Sequence, residues 1–309
     1  MCLAKLSSVN IVSCFYKTAH FYCLINNENV VKNLAFIFFL VFSNLGFGQN
    51  TCIVSIKDMQ TKEPIPYVHL YNNYIGVISN EFGKAELTSV CADSLVVSSI
   101  GYMDKVLMFS GSDTCLYLKP KAYILDEIKV SPKKYTKSIR LGVYGREVRR
   151  TRYRACKGLK GYSTVLFFDG IHSKNTLSEI SFFVASKSKG NNKLRLRILD
   201  SNDGAPNEDL CTESIIFDIN KEKGWQTLNL RSFDIILPSH PFFVGIEFLG
   251  DKFGSNSSLC LGLTPKYKNK NRTWVKNIGG FWHQLAFMKG KRGKQLNLMI
   301  NILIETYRD

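Results

Sequence analysis

From Gln49 onward, apolar and polar residues alternate with a period of two through most of the chain, and no long helical period interrupts them. "CIVSIKD" (52–58), "PYVHLYN" (66–72), "SLVVSSIGY" (94–102), "KVLMFS" (105–110) and "CLYLKP" (115–120) each read as a short strand. Between them, "GVISNEFGKAELTS" (76–89) reads as a hairpin. Ile78 closes one strand, Ser79 to Gly83 make the turn, and Ala85 and Leu87 begin the next. After Gly161 a second series follows: "EISFFVASK", "KLRLRILD", "SIIFDIN", "GWQTLNL", "FFVGIEFLG", "LCLGL", "FWHQLAFM" and "LNLMINILIE". In "KLRLRILD", Leu194, Leu196 and Ile198 fall on one face and Arg195 and Arg197 on the other. The pattern predicts an all-β protein of two tandem antiparallel β-sandwiches, the second open to a jelly-roll arrangement. The expected boundaries are a leader over 1–48, a first sandwich over 49–120, a linker over 121–160 and a second sandwich over 161–309.

The order of residues in the first series, Asp58, Thr61, Glu63-Pro64-Ile65-Pro66, Gly76, Ser79-Asn80, Gly83 and Ser99-Ile100-Gly101-Tyr102, resembles the carboxypeptidase regulatory-like domain. That resemblance covers about residues 50–120 and implies a transthyretin-like sandwich without catalytic activity of its own, of the kind found in exported Bacteroidetes envelope proteins. The residues also have local reasons. Pro66 fixes a turn at a strand start, Gly83 suits a positive-φ position, and Asn80 can bond turn backbone. "AYILDEIKVSP" (122–132) is similar to a segment that follows such domains in TonB-dependent receptors, but too few residues remain for a receptor barrel, so it reads as a linker strand. The second series resembles uncharacterised partners of the regulatory-like domain.

The leader changes where the protein is expected to be. In "KNLAFIFFLVFSNLGFGQN", Lys32 precedes an apolar run from Leu34 to Phe42 that ends in Gly46-Phe47-Gly48, the order of a secretory signal. Residues 1–29, with Cys2, Cys14 and Cys23, fit badly in front of it. Initiation at Val31 would give a conventional signal; a long signal or an internal anchor is the alternative. The expected location is therefore periplasm, cell surface or medium, with no membrane span after cleavage.

Charge adds a partner class. The 309-residue chain carries 41 Lys and Arg against 25 Asp and Glu, a net charge of +16. The excess concentrates in 129–160, where Arg149, Arg150, Arg152 and Arg154 form a positive strip with Tyr144 and Tyr153 beside it. Guanidinium groups suit a phosphate or carboxylate polymer, an anionic polysaccharide or another envelope component; a solvated linker is the plainer reading. Nucleic acid is disfavoured in an exported chain without a recognition motif.

Candidate chemistry is sparse. Cys52, Cys91, Cys115, Cys156, Cys211 and Cys260 remain after the leader, an even number that allows disulfides or buried thiols. No metal or cofactor motif stands out, and "DSNDG" (200–204) lacks calcium-loop spacing and reads as a turn. Trp225 reads as core, while Trp274 and Trp282, flanking Gly279-Gly280, are candidates for an aromatic sugar platform. The expected function is non-catalytic binding or envelope structure, and the competing class is a glycan-acting hydrolase in the second sandwich. A pair of acids in a cleft would favour the enzyme; a flat aromatic and basic face would favour binding. Signal cleavage is expected to leave Gln49 as the first residue. Intact-mass and N-terminal peptide analysis of exported protein checks this, with any peptide from 1–48 in the mature chain as the contrary result.

Overall fold

The computed structural model describes residues 51–73, 75–88, 94–121, 135–144, 153–155, 160–171, 175–186, 193–219, 223–250, 259–265, 272–285 and 296–307. The expected leader and the Gln49 cleavage point lie outside the described residues. Among those described, the chain is nearly all strand, with one 3-10 turn at Arg231–Phe233.

The first sandwich contains β1 (Thr51–Asp58), β2 (His69–Tyr71), β3 (Gly76–Ile78), β4 (Lys84–Thr88), β5 (Ser94–Ser98), β6 (Lys105–Met108) and β7 (Thr114–Leu118). They form a three-stranded sheet, β4-β1-β7, and a four-stranded sheet, β3-β2-β5-β6. Alternation decides which side faces inward. Val54 and Ile56, Ala85 and Leu87, and Leu116 and Leu118 from one sheet meet Leu70, Leu95, Val97 and Leu107 from the other in a shared core.

Two expectations need correction here. The pair β1–β7 is parallel, with Val54 opposite Thr114 and Asp58 opposite Leu118, so the first sandwich is not wholly antiparallel. The stretch 76–89 is also not a hairpin: β3 pairs with β2 in one sheet and β4 pairs with β1 in the other. The turn therefore crosses between sheets. Val68 N–H donates to the buried Ser79 Oγ (2.8 Å), and Asn80 Oδ1 accepts from Phe82 and Lys84 N–H (2.9 and 3.0 Å). These bonds satisfy backbone that a hairpin ladder would otherwise have paired. Gly83 takes the expected positive φ, +68°.

Two polar residues far apart in the first sandwich, Asp58 and Tyr102, meet in space. Asp58 accepts from Gln60 and Thr61 N–H and from the Tyr102 hydroxyl at 2.9 Å. The Thr61 N–H, working against burial and helped by Tyr102, holds the Asp58 carboxyl below its ordinary range. Burial first, and then Asp58, push the Tyr102 hydroxyl up to about 12, so it stays a donor.

The second sandwich begins earlier than its pattern suggests. Its strands in chain order are β8 (Tyr135–Gly142), β9 (Tyr153–Ala155), β10 (Ser163–Phe168), β11 (Asn175–Ser186) and β12 (Lys193–Asn202). Next come β13 (Ala205–Asp209), β14 (Ile216–Asp218), β15 (Gly224–Asn229), β16 (Ile236–Leu237) and β17 (Phe242–Phe248). The last are β18 (Cys260–Thr264), β19 (Thr273–Lys276), β20 (His283–Gln284), β21 (Asn297–Leu298) and β22 (Ile300–Tyr307). Within the expected linker, β8 pairs with β22 and β9 with β18, so those segments belong to the larger sandwich. Their basic residues had masked a strand whose Ile139 and Leu141 pack against the core.

One sheet runs β13-β12-β17-β10-β19-β20 with β14 on β12. The other runs β21-β18-β11-β22-β8, with β15 and β16 on β11 and β9 on β18. Leu194, Leu196, Ile198, Val244 and Ile246 of the first pack against Ile180, Phe182, Ile300, Ile302 and Ile304 of the second. As expected, Asp203-Gly204 is a two-residue hairpin turn, with φ of +49° and +77° and Asn202 opposite Ala205. Trp225 packs edge-on against Phe183 at the core margin. Cys52 and Cys211 are buried thiols, Cys115 is an exposed one, and Cys260 is in a disulfide.

The two sandwiches are docked on one another. Tyr67 and Ile78 of the first share a small apolar cluster with Leu249, Ile216 and Ile278 of the second. Gly76 has no room for a side chain, since a Cβ there would sit 1.7 Å from Ile278 Cγ2. Gly101, at φ +85°, lies under the Thr212 carbonyl, 2.5 Å from where a Cβ would be. Replacing Gly76 by Ala is expected to cost about 1–3 kcal/mol by overpacking this contact. Ile278→Ala in the same chain should recover part of it, so the double variant loses less than the sum of the singles. Urea midpoints of the four proteins check this; simple additivity would show that the contact does not hold the sandwiches together.

Candidate functional site

The outer faces of the two large sheets differ. On the sheet containing β11 and β22, Arg231 bonds Glu305 (2.8 Å) and Arg140 bonds Asn301 (2.6 Å), with Glu179 within 3.5 Å of both arginines. That is a solvated cross-strand ladder of low energetic value. The outer face of the sheet containing β12, β17, β10 and β19 is covered at one end and aromatic at the other.

The covered end holds the Arg195 and Arg197 face of β12. Neighbouring β17 places Glu247 in a run that is otherwise apolar or glycine. Glu247 is fully buried and Arg195 is 1% exposed. Arg195 Nη1 lies 3.3 Å and Arg197 Nη1 3.0 Å from Glu247 Oε2. From the first sandwich, His69 Nε2 approaches Glu247 Oε1 at 2.5 Å, and the Tyr67 carbonyl accepts from Arg195 Nη2 at 2.7 Å. To bond an ionised carboxylate, Nε2 of His69 carries the proton. Arg197 also grips Asp209 through Nε and Nη2, at 3.1 and 2.6 Å.

Burial alone would push the Glu247 carboxyl up. The opposing charges of His69, Arg195 and Arg197 outweigh it and hold the group well below its ordinary 4.5. For Arg195 burial dominates and lowers its affinity for a proton, while for Arg197 the pull of Asp209 and Glu247 overcomes burial and raises it.

A polar cleft of about 210 Å³ opens beside this network, between the sandwiches, with Asp104 and Lys121 on one wall and Asn207, Glu208 and Asp209 on the other. Cys211 also lines it, but burial and then Asp209 push its thiol up to about 12, so it remains a thiol at neutral pH.

Beyond the covered end, Val165, Leu199 and Phe243 form a cluster against which Phe167, Trp274 and Trp282 pack. Phe243 meets Phe167 edge-on at 5.2 Å and Trp274 at 6.1 Å. Trp274 pairs with Gln284 across the β19–β20 hairpin, which sets Trp282 opposite Lys276. Lys276 Nζ lies 5.8 Å over the Trp282 ring and 6.0 Å over Tyr71, and Arg272 lies 5.2 Å over Phe167. Burial, followed by repulsion from Arg197, lowers the Lys276 ammonium. Phe281, in the hairpin loop, is 85% exposed.

The two tryptophans expected as a platform therefore come together on one face, each half-buried. The turn between them packs at Gly279 on the first sandwich, where a Cβ would lie 2.8 Å from the Asn72 carbonyl. Arg149, Arg150 and Arg152 lie outside the described residues, and Arg154 stands in β9 opposite Gly262. The buried network was not anticipated. Its signals were a lone Glu247 in "FFVGIEFLG" and two arginines on one strand face.

The chain matches no family model and no curated protein. Among solved structures it is similar to the cysteine protease and lectin-like domains of Cwp84, a surface layer associated protein of Clostridium difficile. That match has 12% identity and a TM-score of 0.36, over 48% of this chain and 32% of that one. It is also similar to the clostridial cysteine protease Cwp84 after propeptide cleavage, at 10% identity and a TM-score of 0.41, over 83% of this chain and 70% of that one. The chain thus spans about a third of the first structure, and neither likeness is close enough to carry an argument. No helix among the described residues is long and apolar enough to cross a membrane.

Glu247→Gln is expected to cost about 3–5 kcal/mol at neutral pH, because it leaves the buried Arg195 guanidinium without its carboxylate, while Arg197 keeps Asp209. The pH sign follows from the lowered carboxyl. Its contribution is complete above the unfolded-state value, near 4.5, and is lost as pH falls below it. Urea midpoints measured from pH 7 to strongly acidic solution should fall more steeply for the native sequence than for the variant. Parallel curves would contradict a structural role for the ionised carboxylate.

Proposed function

We propose that the chain is a non-catalytic exported binding protein of the cell envelope. Its first sandwich serves as a carboxypeptidase regulatory-like docking module, and the aromatic, cation-flanked face of the second takes up a carbohydrate or anionic polymer. The observation that carries this reading is the gathering of Phe167, Trp274 and Trp282 around the buried Phe243 cluster, with Arg272 over Phe167, Lys276 over Trp282 and Phe281 exposed beside them. Ring faces pack against the C–H faces of sugars, and the flanking cations suit acidic substituents. A sheet supports the rings from below, which reduces the ordering cost of binding. The regulatory-like assignment is supported by the Asp58–Tyr102 bond and the Gly83 turn. Export is supported by the signal-like order of 32–48.

Hydrolysis of a glycan is the second reading, favoured by Asp104, Glu208 and Asp209 lining one cleft. Asp209 is engaged by Arg197 and Glu247 is held ionised, which leaves Asp104 and Glu208 as the pair for acid–base work.

The test is retention on immobilised neutral and acidic polysaccharides across a salt series. Replacing Phe281 and Trp282 together by Ala should reduce retention about tenfold, equivalent to about 1.4 kcal/mol. Replacing Arg149, Arg150, Arg152 and Arg154 together by Gln should flatten the salt dependence on acidic matrices without moving the melting temperature. Undiminished retention of the aromatic variant would remove the platform. Release of new reducing ends, abolished by Glu208→Gln, would replace binding with hydrolysis.

A further inference from the structure

We propose that the cleft between the sandwiches is a second, separate binding site that takes one ring of a neutral sugar. This rests on the carbohydrate reading above and names the ligand class for a different part of the molecule.

Three observations lead to it. First, Arg195, which lines the cleft, is 1% exposed, and its Nε–H has no acceptor, although both terminal nitrogens are bonded. A buried donor left without a partner is costly, and a ligand oxygen relieves that cost. Second, the charges that line the cleft nearly balance: Lys121, Arg195 and Arg197 stand against Asp104, Glu208 and Asp209, while His69, also on the wall, is paired with Glu247. A balanced site gives no advantage to a net anion or cation. It favours groups that donate and accept at the same atom, which is what a sugar hydroxyl does. Such a hydroxyl accepts from Arg195 Nε–H or Lys121 while its neighbour donates to Glu208 or Asp104. The Asn207 amide can do either. Third, about 210 Å³ is below the range of roughly 300–1,000 Å³ that holds drug-sized ligands, and suits a single ring. The walls come from both sandwiches, so the buried Glu247 network that docks them also fixes the spacing of the cleft.

Asp104, Lys121, Asn207 and Glu208 are exposed at the rim and can be changed without removing core. The experiment is saturation-transfer NMR on the full chain with methyl glycosides of neutral hexoses, and with glucuronate as the charged control. At least one neutral hexoside is expected to bind saturably and more tightly than glucuronate. Glu208→Gln and Lys121→Met should each weaken it about tenfold through loss of a charge-assisted hydrogen bond. The Phe281 and Trp282 double variant should leave this signal intact while losing polymer retention, which separates failure of the cleft from failure of the platform. No saturable contact with any neutral hexoside overturns the proposal and leaves the cleft to water. Tighter binding of glucuronate, or contact unchanged in both rim variants, overturns it as well.

Discussion

A carboxylate without water is the constraint around which this structure is arranged. Glu247 sits near the end of an apolar strand where solvent cannot reach it, and an isolated charge there would cost several kcal/mol. Two arginines from the neighbouring strand answer it from one sandwich, and His69 answers it from the other. Arg195 is then committed in turn, since its second terminal nitrogen bonds the Tyr67 carbonyl across the junction. The consequence reaches beyond stability. With the sandwiches held in one relation, the cleft beside the network takes walls from both, and the aromatic face beyond it meets the first sandwich where Lys276 lies over Tyr71.

The glycines serve the same arrangement. Gly76 and Gly101 both lie where the second sandwich presses against the first. Their place in a turn-rich stretch suggested local backbone needs. For Gly76 the reason is distant: Ile278 occupies the space of the missing side chain.

This marks where the sequence was legible. Period-two alternation identified the strands and their inward residues, because facing is a local property of the pleat. Asp203-Gly204 and Gly83 were readable for the same reason, since a turn is decided by its own few residues. Partner strands are not local. Nothing in 76–89 distinguishes a hairpin from a crossing between sheets, and the strand at 135–142 was hidden by its lysine and arginine. The candidate site was half legible. Trp274 and Trp282 could be named from their type and position, whereas the bond from His69 to Glu247 joins residues 178 apart. What could have been noticed is the anomaly itself: an acid in a strand too apolar to solvate it implies a cation somewhere else in the fold.

The placement of β22 has a consequence for how the protein comes into being. The strand Ile300–Tyr307 is not an edge. It lies between Asn175–Ser186, made far earlier in the chain, and Tyr135–Gly142, made earlier still. Until it emerges, these two strands have open ladders facing each other with nothing between them, and Ile180 and Phe182 lack the Ile300, Ile302 and Ile304 layer beside them. Loop closure over such separations is slow. The larger sandwich is therefore a late folder, and unpaired strand edges are the state from which association with other chains begins. Any delay in supplying this strand leaves the sheet unfinished.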